Sequence, residues 1–133
     1  MRINRPGMDT TIEASADLST HQFKFVIGAA ASGNSQLARV NVSGANGRSF
    51  GILQNKPSAA GLGAVVRLAG TSKLVVDGSG SAISVGSPLK ADASGRGVVA
   101  GTDKDKVGAI ALEASSAAND VIEALICIYD IAV

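Results

Sequence analysis

The stretch FGILQNKPSAAGLGAVVRL, Phe50 to Leu68, has a counterpart later in the chain, VGAIALEASSAANDVIEAL, Val107 to Leu125. Laid over each other without a gap, the two agree at Gly51/Gly108, Ser58/Ser115, Ala60/Ala117 and Leu68/Leu125. Leu53/Ile110 and Val65/Ile122 add like-for-like apolar pairs. Each copy reads as a glycine, an apolar strand, a loop of small residues and a second apolar strand. That order describes a hairpin, and Pro57 marks the first loop because proline has no N–H to give to a ladder.

Working outward, Gln22 to Ala29 (QFKFVIGA) begins as an alternating strand with Phe23 and Phe25 on one face and Gln22 and Lys24 on the other. Together with Phe50 these are all the phenylalanines, which assigns them to a core or an interface. SGNS (Ser32 to Ser35) and GANGRS (Gly44 to Ser49) are turn signals flanking LARVNV, a strand with Val40 and Val42 on one face. KLVVD (Lys73 to Asp77) is a further strand, ended by the run Gly78 to Ser81. PLKADASGRGVVA (Pro88 to Ala100) is the clearest hairpin, with Ala93-Ser94-Gly95 between two short strands. The chain closes with the β-branched run Val121 to Val133. Helix formers in Leu112 to Asn119 allow a short helix there, while the valine and isoleucine after Asp120 favour strand. Short strands divided by frequent turns predict an all-β fold, a barrel or sandwich with at most short helices.

Residues 1–16 read as an extended N-terminal arm, and 17–133 as a single barrel-like domain. Pro6 and Gly7 break any helix, and Ile3, Met8 and Ile12 stand apart among polar neighbours. Such a segment is either a disordered terminus or a strap that orders on a partner. Sixteen residues reach about 50 Å at about 3.3 Å each, far enough to touch a neighbouring subunit.

The totals narrow the function classes. A core rich in alanine and valine, with aromatics at only 3% and sixteen glycines, buries little area per residue against a high entropy cost. Subunit association is the expected supplement. The net charge of +1 is scattered, so there is no basic stripe for a nucleic-acid partner. Cys127 is alone, which excludes an internal disulfide and suits a reducing compartment. No apolar h-region opens the chain and no apolar run nears the ~20 residues of a membrane helix, so a soluble, cytoplasmically made protein with no membrane partner is expected.

Candidate chemistry is sparse. His21 and Cys127 would need to meet in one exposed pocket to form a nucleophilic pair, and Cys127 sits in an apolar strand that suits a buried thiol. No His, Cys and carboxylate cluster has metal-ligand spacing. Asp103, Asp105 and Gly108 echo a calcium loop but lack its third ligand and closing glutamate, which points to a solvated turn. No glycine precedes a lysine, so the P-loop pattern is absent. Gly78-Ser79-Gly80 lacks the third glycine of a dinucleotide fingerprint, and no G-x-S-x-G elbow occurs. No catalytic residue, metal or cofactor is assigned, and the expectation is a scaffold rather than an enzyme.

Four stretches in order resemble the phage capsid decoration family, often called capsid cement, to which the lambda head decoration protein belongs. They are ASADLSTHQFKFV (Ala14 to Val26), GILQNKPSAAG with VRLAGTSKLVV (Gly51 to Val76), VGSPLKADASGRG (Val85 to Gly97) and GAIALEASSAANDVIEALI (Gly108 to Ile126). The tail ICIYDIAV and the Gly78 to Ser81 run depart from that pattern. The resemblance implies a small β-barrel or β-tulip-like domain that forms homotrimers. It implies a place on the outer surface of the virion head, after synthesis in the host bacterial cytoplasm, with the major capsid protein as partner. It would put the arm and first strand against the capsid, and the candidate contacts are Ile3, Met8, Ile12, Leu18, Phe23 and Phe25. Two rivals are a trimeric host- or glycan-binding spike module and a trimeric nucleotide hydrolase of the dUTPase type. The first wants exposed aromatic platforms, yet Tyr129 is the only tyrosine and there is no tryptophan. The second wants an aspartate and tyrosine pocket, which neither Asp77 nor Tyr129 offers by pattern.

Overall fold

A computed structural model describes residues 7–31 and 38–132, and among these every regular element is a strand. In chain order they are β1 (Met8–Ala14), β2 (Phe25–Ala29), β3 (Arg39–Val42), β4 (Gly51–Leu53) and β5 (Gly63–Ala69), then β6 (Thr71–Asp77), β7 (Pro88–Ala91), β8 (Gly97–Val99), β9 (Lys106–Ala111) and β10 (Ala118–Asp130). The all-β barrel class expected from the strand spacing is what forms. The helix allowed for 112–119 does not form, since 112–117 are the loop into β10 and 118–119 begin that strand.

The strands close into two small barrels, ordered β1-β3-β2-β4-β5 and β6-β8-β7-β9-β10. Counted from each start, the two orders are the same. Each barrel has one parallel contact, β1 with β3 and β6 with β8, and its other pairings are antiparallel. Closure leaves no strand edge open to pair with a stranger.

Registers match as well as order. Ile12 opposite Ala64 corresponds to Leu74 opposite Ile122, and Ala14 opposite Val40 to Val76 opposite Gly97. Val26 opposite Val42 corresponds to Leu89 opposite Val99, and Leu53 opposite Val66 to Ala111 opposite Ala124. The duplication read from the hairpins therefore spans a whole barrel. Its register, however, is one residue away from the gapless sequence alignment: Gly51 corresponds to Ala109 rather than Gly108, and Ile52 to Ile110. A slip of one residue exchanges the faces of a strand, so the gapless alignment would have paired inward with outward side chains.

Each barrel has its own core. Ala14, Leu18, Val26, Val40, Leu53, Ala64 and Val66 fill the first, and Leu74, Val76, Ile83, Leu89, Ala91, Ala109, Ala111, Ile122 and Ala124 the second. Volume is exchanged position by position. Ala14 and Ala64 become Val76 and Ile122, while Leu53 and Val66 become Ala111 and Ala124. Close packing tolerates such swaps when the total volume is kept.

The N-terminal region departs from expectation. Met8 to Ala14 is no free arm: it pairs along β5 and meets β3 at its end, so it is a stave of the first barrel. Only residues 1–7 of the expected arm precede it, and 1–6 lie outside the described residues. The expected shared face of Phe23 and Phe25 also fails, because β2 begins at Phe25 and Phe23 belongs to the preceding turn.

The barrels are joined through Gly70, whose φ of 92° lets β5 pass directly into β6. Phe25 and Ile52 lie opposite each other on the outer side of the first barrel and are fully buried in the core of the second. Gly108 makes this possible, since a Cβ there would fall 2.7 Å from the Phe25 ring. Hydrogen bonds fix the seat: Phe25 N–H to the Gly95 carbonyl (2.9 Å), Val75 N–H to the Phe23 carbonyl (2.7 Å), Asn46 N–H to the Ala91 carbonyl (2.9 Å) and Gln54 Nε2 to Ser72 Oγ (2.8 Å). Gly108→Ala should displace the Phe25 ring and lower unfolding free energy by about 1–3 kcal/mol in urea denaturation. Ala109→Gly, one position along, should cost only the smaller loss of a methyl and some backbone freedom, about 1 kcal/mol.

Candidate interaction surface

Of the six residues expected at a capsid contact, Met8 and Phe23 are available to a partner and Ile12 is available in part. Met8 is 62% exposed at the start of β1. Phe23 is half-buried beside an open depression of about 370 Å³ that it lines with Lys73, Val121 and Ile122. Phe25 is sealed by its seat in the second core, Leu18 in the first, where its N–H donates to the Pro57 carbonyl at 2.8 Å, and Ile12 packs against the first through the alternation of β1. Leu18 and Phe25 cannot touch a partner while the barrels stay folded, whereas Ile12 is partly exposed. Ile3 lies outside the described residues.

Phe23 is the most unusual backbone position of the surface. Its φ is 63°, in the left-handed region that costs a non-glycine residue roughly 1–2 kcal/mol. Its N–H donates to the Leu53 carbonyl at 2.7 Å, as the Gly86 N–H donates to the Ala111 carbonyl at 2.7 Å in the second barrel, where φ is 90°. The turn thus requires left-handed backbone in both barrels, and the second meets the requirement with glycine. The first keeps a phenylalanine, whose ring has Lys73 Nζ 5.7 Å from its centroid. A strained aromatic retained at a solvent-reached depression marks a position where the side chain matters.

The outer faces of the two barrels supply a comparison within one molecule. At four corresponding positions the first barrel carries Arg67, Gly63, Glu13 and Gln54, and the second carries Leu125, Val121, Val75 and Leu112. Arg67 is held by Asp9 in an ion pair at 2.8 Å, which raises the guanidinium pKa further and keeps the Asp9 carboxyl below the usual range. In the second barrel Leu125 is 41%, Val121 44% and Leu112 37% exposed. The run VIEALICIYD carried this signal, since both its odd and its even positions are apolar, the pattern of a strand covered on both faces. Only its even face, Ile122 and Ala124, is covered here.

Asp105 and His21 are held by close partners. Asp105 accepts from Lys90 Nζ (2.9 Å) through one oxygen and from the Gly101 and Thr102 amides through the other. These bonds, the Lys90 one foremost, pull its carboxyl down to about 2. The turn expected at 101–106 is present, but this carboxylate is buried in it rather than solvated. His21 sits 3.3 Å from Lys24 Nζ, and burial followed by that ammonium lowers its pKa. Cys127 is exposed, against the buried thiol expected in an apolar strand. Among the described residues no three His, Cys, Asp or Glu groups gather as for a metal, and no helix is long and apolar enough to cross a membrane.

No family model and no curated protein matches the sequence. Among solved structures, the chain is similar to the crystal structure of the N base of the head fiber gp8.5 of bacteriophage phi29, with a TM-score of 0.67 and 14% identity. The likeness covers 93% of this chain and 97% of that one, so both barrels are included. At this identity what is shared is the fold.

Two outcomes are expected. At position 23 an alanine keeps the left-handed cost and a glycine does not, so Phe23→Gly should exceed Phe23→Ala in unfolding free energy by about 1 kcal/mol. For Asp105, a folded pKa below the unfolded value of about 4 means that its stabilisation is present above that pH. It is lost as pH falls towards about 2. The deficit of Asp105→Ala against wild type in thermal melts should therefore be full near neutrality and shrink over that acid window.

Proposed function

We propose that this chain is a structural protein of a phage virion that sits on the outside of the head, bridges neighbouring capsomers and stabilises the expanded shell. The observation that carries the reading is the two-barrel likeness to the base of a phage head fiber over nearly the full length of both chains. The sequence resemblance to capsid decoration proteins points the same way. The partner is the major capsid protein, the chain acts as a homo-oligomer, a trimer on the family pattern, and no catalytic step is involved.

The mechanism is mechanical. Packaged DNA presses outward, and junctions between capsomers yield first. A protein bound across a junction adds its binding free energy to the assembled state, about 8 kcal/mol at micromolar and about 12 at nanomolar affinity, at each of many identical sites. If the binding surface exists only on the expanded lattice, attachment shifts the equilibrium to that state. A net charge near zero favours apolar and backbone contacts, so attachment should depend weakly on salt. Met8, Phe23 and the exposed part of Ile12 are what the described residues of the expected set can offer, with residues 1–6 ahead of them.

The fiber-base likeness also favours a second reading, in which the barrels anchor to the head without strengthening it. Heating heads with and without bound protein separates the two: cement raises the temperature of DNA release, while an anchor leaves it unchanged. Removal of residues 1–6 keeps β1 intact, whereas removal of 1–16 would take out a barrel strand. Phe23→Gly combined with loss of residues 1–6 should keep the fold and lower head occupancy in sedimentation assays at least about tenfold. Unchanged occupancy would remove this end of the molecule from the account.

A further inference from the structure

The internal duplication identifies a surface, and we infer that the outer face of β9 and β10 around Ile110, Leu112 and Leu125 is where a second copy of this chain docks. It deepens the homo-oligomer part of the reading above and does not depend on attachment to heads.

The argument begins with the contact inside the chain. The first barrel meets the second through one outward row, Phe25 on β2 and Ile52 on β4, continued on β5 by Arg67. By register the same row of the second barrel is Pro88 on β7, Ile110 on β9 and Leu125 on β10. So the row that one barrel uses to bind a barrel of its own kind recurs on the other, and there it is apolar across three strands and reached by solvent. The position that in the first barrel is Arg67, tied to Asp9, is Leu125, so polar cover has been replaced by an apolar side chain. Leu112 extends the patch beside the row, because its N–H donates to the Glu123 carbonyl at 2.9 Å. Glu123 and Lys73, opposite each other across β10 and β6, supply one charge of each sign at its margin. An apolar centre with mixed-sign flanks suits a contact between like copies.

The same correspondence excludes end-to-end stacking through the seat used within the chain. Phe25 seats on the second barrel because residue 108 is glycine, and the matching position of the first barrel is Phe50. A side chain stands where the seat would be, so a further copy cannot add end to end as the barrels do within the chain. A contact that closes about a symmetry axis, three-fold in the trimer proposed above, gives a discrete oligomer.

Sedimentation velocity across a concentration series tests this. Wild type should show one discrete oligomer in equilibrium with monomer. Leu125→Asp should raise the dissociation constant at least about tenfold, and Leu62→Asp, exposed on the first barrel, should not change it. Thermal melts report folding. Should Leu125→Asp fail to fold, Leu112→Lys at the loop edge of the patch replaces it with the same expectation. A wild type monomeric at its highest soluble concentration would overturn the proposal, as would open-ended growth or equal oligomerisation of all variants. Loss of head binding by a chain that still forms the discrete oligomer would count against the head reading and leave this surface standing.

Discussion

The structure depends on two side chains that face out of one barrel and serve as core of the next. Phe25 and Ile52 are fully buried, yet they lie on the outer side of the barrel whose strands carry them. Each barrel alone is too small and too rich in alanine to bury much apolar area. The largest buried side chain of the described residues is therefore used between barrels rather than within one. At roughly 25 cal/mol per Å² an aromatic placed there contributes more than any alanine-lined layer. Its seat needs a residue without a Cβ at 108, and the backbone bonds from Phe25 to Gly95 and from Val75 to Phe23 hold the approach. The two barrels are thereby coupled.

This coupling also accounts for how the copies have diverged. Inside, residues were exchanged with volume kept, so the two cores remain alike. Outside, the copies differ in kind. The first barrel carries an ion pair at Arg67 and Asp9, the second an apolar row at Ile110 and Leu125. One copy has its outer row covered by its sibling, and the other presents the same row to solvent. Phe23 and Gly86 make the parallel contrast in a turn: the same left-handed backbone is met by glycine in one barrel and by a strained aromatic in the other.

The sequence by itself determined most of the strands and turns and the existence of a repeat, because these rest on local periods. Val40 and Val42 share a side of β3, Ala93-Ser94-Gly95 turns β7 into β8 through a left-handed Gly95, and the two apolar hairpins announce duplication. The one-residue slip of that duplication was hidden, since alanine and glycine are frequent enough to match in several registers. Tertiary structure alone decided which strands meet. β1 is read as an arm when its neighbours in sequence are consulted, and becomes a stave because β5, some fifty residues on, offers it a ladder. The burial of Leu18 and Phe25, and the exposure of Leu125, follow from closure and from the barrel-to-barrel seat. Both are contacts between residues far apart in the chain, to which local alternation is blind.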